Sequence, residues 1–160
     1  MPIKTIVVPT DFSENSQIAF ERACDLARQL GAKVYLLHIQ DGSSLRTAIK
    51  EELFQTNTTD RQLQQSVKDL IAQRFSEMTA GLDRLDLFVE CLSRRGYPKT
   101  AIVRFAKEIK SDLVVIGMRG ITAMSTLTSA AFGSVAEWVL RRSPCPTVVV
   151  RLEHSAKRGQ

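Results

Sequence analysis

The sequence predicts an α/β fold: a single doubly wound, five-stranded parallel sheet with helices on both faces. Three observations lead there. Apolar runs of strand length alternate with longer stretches of helical period, in the order β-α-β-α-β-α-β-α-β. Strict alternation of this kind favours a parallel sheet covered by helices. The polar and glycine-rich stretches follow strands, which is where ligands of open α/β sheets bind. The length of 160 residues suits one domain, able to bury a core without disulfides or metals.

Residues 5–8, Thr-Ile-Val-Val, read as a buried strand that ends at Pro9-Thr10-Asp11. Ser13 is the expected N-cap of the first helix, because its hydroxyl accepts from a first-turn N–H. That helix places Ala19, Ala23, Leu26, Ala27 and Leu30 on one face and stops at Gly31. Residues 34–39 form the second strand, with His38 expected to be packed and hydrogen-bonded. Residues 40–60 are polar and read as loop around a short helix. Leu63, Val67, Leu70, Ile71 and Met78 then mark a second long helix.

Leu85, Leu87, Val89 and Cys91 predict a third strand with one more polar face. Gly96-Tyr97-Pro98 breaks the chain, with Pro98 in the first turn of the next helix and Tyr97 expected in loop packing. Ile102, Phe105, Ala106 and Ile109 carry the helical spacing, and residues 113–116 make the fourth strand. A long loop, 117–132, leads to a helix over 134–142, which Trp138 is expected to pack. Residues 147–152 form the fifth strand. The expected domain is residues 1–153, followed by a polar tail, 154–160.

Composition excludes several functions. No apolar stretch approaches the ~20 residues that span a membrane. The start of the chain runs directly into a strand, so no secretory signal is expected. Cys24, Cys91 and Cys145 are odd in number and widely spaced, and read as buried, reduced thiols of a cytoplasmic protein. The formal charge of +5 lies in short clusters such as Arg94-Arg95 and Arg141-Arg142. No basic stripe interleaved with aromatics accompanies it, which argues against a nucleic-acid partner. The sequence has no HExxH, no GxSxG and no complete phosphate loop ending in Gly-Lys-Ser/Thr. Nothing positions an attacking water, so slow ATP hydrolysis is the most turnover expected, and no catalytic residue is assigned.

The most informative feature is the glycine-spaced stretch after the fourth strand: Gly117-Met118-Arg119-Gly120, then Gly133-Ser134 at a helix start. Glycines let a ligand approach the backbone, and a helix N-terminus offers unpaired N–H groups and positive dipole to an anion. Simpler readings stand beside this one. Gly117 can merely end a strand and Gly120 a turn, while Gly133 and Ser134 can be only a cap. Asp11 can satisfy the first helix terminus, and Arg119 can point to solvent.

The chain resembles the universal stress proteins over nearly its whole length. Ile6-Val7-Val8-Pro9-Thr10-Asp11-Phe12-Ser13 is similar to that family's first strand and turn, and Leu36-Leu37-His38-Ile39 to its second strand. Gly96-Tyr97-Pro98 and Ser111-Asp112 through Gly117 resemble its third helix and fourth strand. Gly133-Ser134-Val135-Ala136-Glu137 and Cys145-Pro146-Thr147-Val148-Val149-Val150 resemble its C-terminal signature. The resemblance implies the adenine-nucleotide alpha-hydrolase-like strand order 3-2-1-4-5, and a stress-response protein that binds ATP or AMP, with Mg²⁺ accompanying the phosphates.

Nucleotide-binding members carry G-x2-G-x9-G-[ST], whereas twelve residues separate Gly120 from Gly133 here. The expectation is that the extra residues bulge outward and leave both anchors in place. The roles implied are then Thr10 and Asp11 near ribose or adenine and the Ile39 backbone at the adenine edge. Gly117, Arg119 and Gly120 would line ribose and phosphates, and Gly133, Ser134 and Val135 would hold phosphates. Hydroxyls at Thr122, Ser125, Thr126, Thr128 and Ser129 are expected in a mobile loop. The alternative is a dimeric interaction module with a non-binding pocket. Either way a homodimer is expected through Thr147, Val148, Val149 and Val150, because a bare valine-rich edge otherwise pairs without control.

Overall fold

The computed structural model describes residues 2–42, 60–82, 86–120 and 132–151. The expected loops at 43–44 and 56–59, Leu85, the hydroxyl-rich stretch within 121–131, Leu152 and the tail at 154–160 lie outside the described residues.

Five parallel strands form one sheet in the order β3-β2-β1-β4-β5. They are β1 (Thr5–Thr10), β2 (Lys33–Gln40), β3 (Val89–Arg95), β4 (Leu113–Gly117) and β5 (Thr147–Val150). The helices are α1 (Glu14–Leu30), α2 (Asp60–Thr79), α3 (Pro98–Glu108) and α4 (Ser134–Arg142). This is the doubly wound sheet that the alternation predicts.

The two-residue period of the strands sorts the core into two layers. Ile6, Val8, Val34, Leu36, Leu113 and Val115 face α1 and α2, meeting Ala19, Phe20 and Ala23 from the first and Val67, Ile71 and Phe75 from the second. Val7, Leu37, Ile39, Val114 and Ile116 face α3 and α4, where Ile102, Phe105, Ala136 and Val139 cover them. Strands buried on both sides read as continuous apolar runs, which is why β1 and β4 were legible.

Local chemistry sets the helix ends. The Ser13 hydroxyl caps α1 by accepting from the Ser16 N–H at 3.3 Å. At the other end Gly31 takes φ 65°, a left-handed C-cap that suits glycine. Pro98 opens α3 at its first turn. One polar tie escaped sequence reasoning: the Asp112 carboxylate accepts from the Lys4 and Thr5 N–H groups at 2.9 and 3.0 Å, fixing the start of β1 beside that of β4.

Several expectations need correction. β3 starts at Val89, and Asp86–Phe88 precede it outside the strand. As an edge strand it has one neighbour, so burial fades along it, and Cys91 is exposed where a buried thiol was expected. Cys145 is half-buried, while burial pushes the Cys24 thiol up to about 12. Leu30 and Leu70 are exposed at the margins of their helices, and Tyr97 is exposed too, instead of packing its loop. Trp138 is half-buried, with the Arg142 guanidinium 4.7 Å from its ring centre. β5 ends at Val150, short of the predicted 152.

Candidate functional site

The strand order reverses between β1 and β4, and there the sheet opens. Pairing between them is limited to Ile6↔Leu113 and Val7↔Val114, although β1 runs on to Thr10 and β4 to Gly117. Backbone pairing thus stops short of the C-terminal ends of the two strands, at the switch point whose crevice is where ligands of such sheets bind. Two turns border it, one following β1 and one following β4.

The turn after β4 is built on close backbone approaches. Gly117 is buried, and a Cβ there would lie 2.8 Å from the Asn15 carbonyl oxygen in the first turn of α1. Its glycine thus serves the packing of α1 on β4. At Gly120 an added Cβ would strike the Asp11 carboxylate oxygen Oδ2. At Gly133 it would come within 3.4 Å of both the Met118 carbonyl oxygen and the Arg119 Cα. The Gly133 N–H donates to the Met118 carbonyl at 2.9 Å. The longer spacing between Gly120 and Gly133 thus does not separate the two glycine turns.

Ser134 and Val135 open α4 directly beside Arg119 and Gly120. First-turn N–H groups of a helix have no intrahelical acceptor, and they carry the positive end of the dipole. Gly133 is the N-cap residue, and its own N–H is engaged with Met118. The Met118 N–H in turn donates to the Val150 carbonyl at 2.8 Å. Arg119 is half-buried and Ser134 exposed.

The turn after β1 is held by side chains. Thr10 is buried, and its hydroxyl accepts from the Phe12 N–H at 3.0 Å. The same hydroxyl lies 3.0 Å from Ser16 Oγ and 3.2 Å from the Met78 sulfur. It faces α1 and α2, away from the Gly120 side occupied by Asp11. Asp11 is half-buried, with Oδ1 accepting from the Ser13 N–H at 3.1 Å and Oδ2 directed at Gly120. Phe12 sits at φ 63°, a left-handed conformation that costs a non-glycine residue about 1 kcal/mol.

Ile39 is buried near the end of β2. The Lys33 N–H donates toward β1 and the Val34 N–H toward the β3 side, so odd-numbered residues of β2 face β1. Ile39 shares that parity, one residue beyond the last β1–β2 pair, Thr10↔His38. Its backbone is thus the last β1-facing peptide of β2. His38 is packed and bonded as expected: Nδ1 lies 2.9 Å from the Thr10 carbonyl, and the ring centre lies 4.5 Å from that of Phe12. Burial lowers its pKa, against the raising effect of the Thr10 bond and of Asp11 and Asp41.

The structure brings Asp11, Gly120 and Gly133 close to one another, while the sequence pattern gave no sign that Phe12, Phe75 and Met78 meet behind the turn after β1. Among the described residues no group of three His, Cys, Asp or Glu gathers to hold a metal. No helix among them is long and apolar enough to cross a membrane.

Comparison with known proteins agrees with this fold. The sequence profile described as the universal stress protein family matches residues 2–151. Universal stress protein MJ0531 of Methanocaldococcus jannaschii is 28% identical over 92% of this chain and 82% of its own length. Among solved structures, hypothetical protein MJ0577 superposes with a TM-score of 0.76 at 25% identity, covering 97% of this chain and all of that one. A universal stress protein crystallised with cAMP superposes with a TM-score of 0.58 at 26% identity, covering 94% of this chain and 98% of that one.

Proposed function

Because the chain belongs to the universal stress protein family, we propose that it is a stress-response regulatory protein that binds an adenine nucleotide, of ATP or AMP type, in the crevice beyond β1 and β4. The observation that carries this reading is the bond from the Gly133 N–H to the Met118 carbonyl. It brings the start of α4 against the Gly117–Gly120 turn, so amides and dipole converge on one place suited to an anion. The related protein crystallised with cAMP supports the adenylate class.

In this reading the Ser134 and Val135 amides hold phosphate, with Gly133 shaping the approach. Gly117, Arg119 and Gly120 line phosphate and ribose. Asp11 meets the ribose, and the Ile39 backbone meets the adenine edge, where a main-chain peptide can pair with an exocyclic amine. Thr10 acts by holding the turn, since its hydroxyl is committed behind it. Mg²⁺ fits as a companion of the phosphates: it is bound through one or two carboxylates plus phosphate oxygens, and Asp11 is placed to offer one.

Calorimetry with ATP, AMP and cyclic AMP tests the reading. Saturable heat with at least one, with affinity about tenfold weaker in Gly120→Ala, supports it. A second reading, an interaction module with a silent pocket, is favoured by one observation: the Asp11 carboxylate already fills the space over Gly120. No heat and no melting shift with all three ligands decides for that reading.

We also propose a homodimer through the β5 edge, Thr147 to Val150. The other edge, β3, carries Glu90, Arg94 and Arg95, charges that discourage pairing. β5 is a valine run with Val148 exposed, beside an open hollow of about 470 Å³ that reaches Leu26 on α1. Val149 packs inward against the α3–α4 layer, so Val148→Lys is the cleaner test. Sedimentation should show dissociation toward monomer at micromolar concentration; an unchanged dimer rejects this interface.

A further inference from the structure

Phe12 lies in the turn after β1 and occupies a left-handed conformation at φ 63°. Three contacts hold it there. Its ring meets the His38 ring from β2 with centres 4.5 Å apart, and meets Phe75 of α2 edge-on at 5.3 Å. Its N–H donates to the Thr10 hydroxyl, which also reaches the Met78 sulfur one helical turn beyond Phe75. Asp11 immediately precedes it, and Ser13, whose N–H the Asp11 carboxylate accepts, immediately follows. The turn that carries Asp11 thus runs into a residue clamped between two other elements of the fold.

We infer that Phe12, gripped by His38 and Phe75, is a positioning residue that aims the Asp11 carboxylate at the ligand crevice. This rests on the adenylate reading for its ligand, but not for its geometry. The left-handed backbone at Phe12 turns the chain sharply between β1 and α1 and sends the Asp11 and Phe12 side chains to opposite sides. Without the two rings the corner loses the packing that offsets its backbone cost, and Asp11 samples orientations away from Gly120. The cost of gathering it again is then drawn from the binding free energy.

Phe12→Gly is the direct test, because glycine accepts the left-handed backbone while removing the ring. Two readouts are needed. Amide exchange at Ser13 reports the Asp11 bond in the ligand-free protein; it should accelerate about tenfold or more, while the interior α1 amides of Ala23 and Ala27 keep their protection. Affinity for AMP, measured well below the melting temperature, should fall about tenfold. Phe12→Tyr, which keeps the ring, should restore both.

If Phe12→Gly does not fold, Phe75→Leu removes one wall of the clamp and should give smaller changes of the same kind. A purely structural role would raise exchange throughout α1 and leave the affinity of the folded protein unchanged, and that result overturns the inference. Failure of the unmodified protein to bind any adenylate would reject the ligand assignment alone. Ser13 exchange would then still decide the clamp, with an unchanged rate in Phe12→Gly rejecting it.

Discussion

The two turns that meet at the crevice are built by opposite means. After β1 the chain is fixed by what its side chains do: Thr10, Asp11 and Ser13 bond neighbouring atoms, and Phe12 is held between two rings. After β4 it is fixed by what is missing, because Gly117, Gly120 and Gly133 each stand where a Cβ would meet another part of the molecule. A turn of the first kind can be tuned by small substitutions. A turn of the second kind tolerates almost none, and its glycines fail in different ways according to what each one faces.

That difference can be broken experimentally. Gly117→Ala should have the largest effect, because its Cβ would meet the Asn15 carbonyl, main-chain atoms that move only if α1 moves. Overpacking of this kind costs about 1–3 kcal/mol, readable as a lower urea midpoint with an unchanged slope. Thr10→Val should cost about 1–2 kcal/mol, since it leaves the Phe12 N–H without its acceptor in a part-buried site. Urea unfolding within ~0.5 kcal/mol of the unmodified protein would show that surrounding atoms replace the hydroxyl.

Gly120→Ala should separate binding from folding. Its Cβ meets only the tip of the Asp11 side chain, which can swing aside, so stability should change by less than ~1 kcal/mol while adenylate affinity falls about tenfold. Equal losses of stability in the Gly117 and Gly120 variants would erase the distinction drawn here.

The smallest effect concerns pH. His38 has its pKa lowered by burial, so on acidification the unfolded chain takes up this proton before the folded one does. Its contribution to stability is complete above the ordinary imidazole value, ~6.5, and declines as pH falls through that value toward the lower folded one. His38→Gln should flatten this part of the acid limb in denaturation measured between about pH 7 and 5.

The sheet was legible because β1, β2 and β4 are apolar on both faces and helix periods separate them. β3 was the weak point: an edge strand is only half covered, so its burial follows its neighbours instead of its own alternation, as exposed Cys91 shows. Of the candidate site, the glycine turn stood out by its spacing after the fourth strand, although strand end, turn and cap were equally open readings of the single glycines. The reason for each glycine was not legible. Gly117 answers to Asn15, a residue about a hundred positions away, and no local pattern encodes such a meeting. The Phe12 clamp was missed for the same cause, because Phe75 and His38 read as ordinary core positions until α2 and β2 are placed in space.

Met118 joins two parts of the fold that are otherwise apart. Its N–H is bonded to the last residue of the outer strand and its carbonyl to the first amide before α4. The two groups sit in consecutive peptide planes hinged at the Met118 Cα, so this one residue bridges the end of β5 and the start of α4. The outermost strand and the helix start beside the glycine turn thus share a single anchoring residue, so loosening Met118 would release both at once.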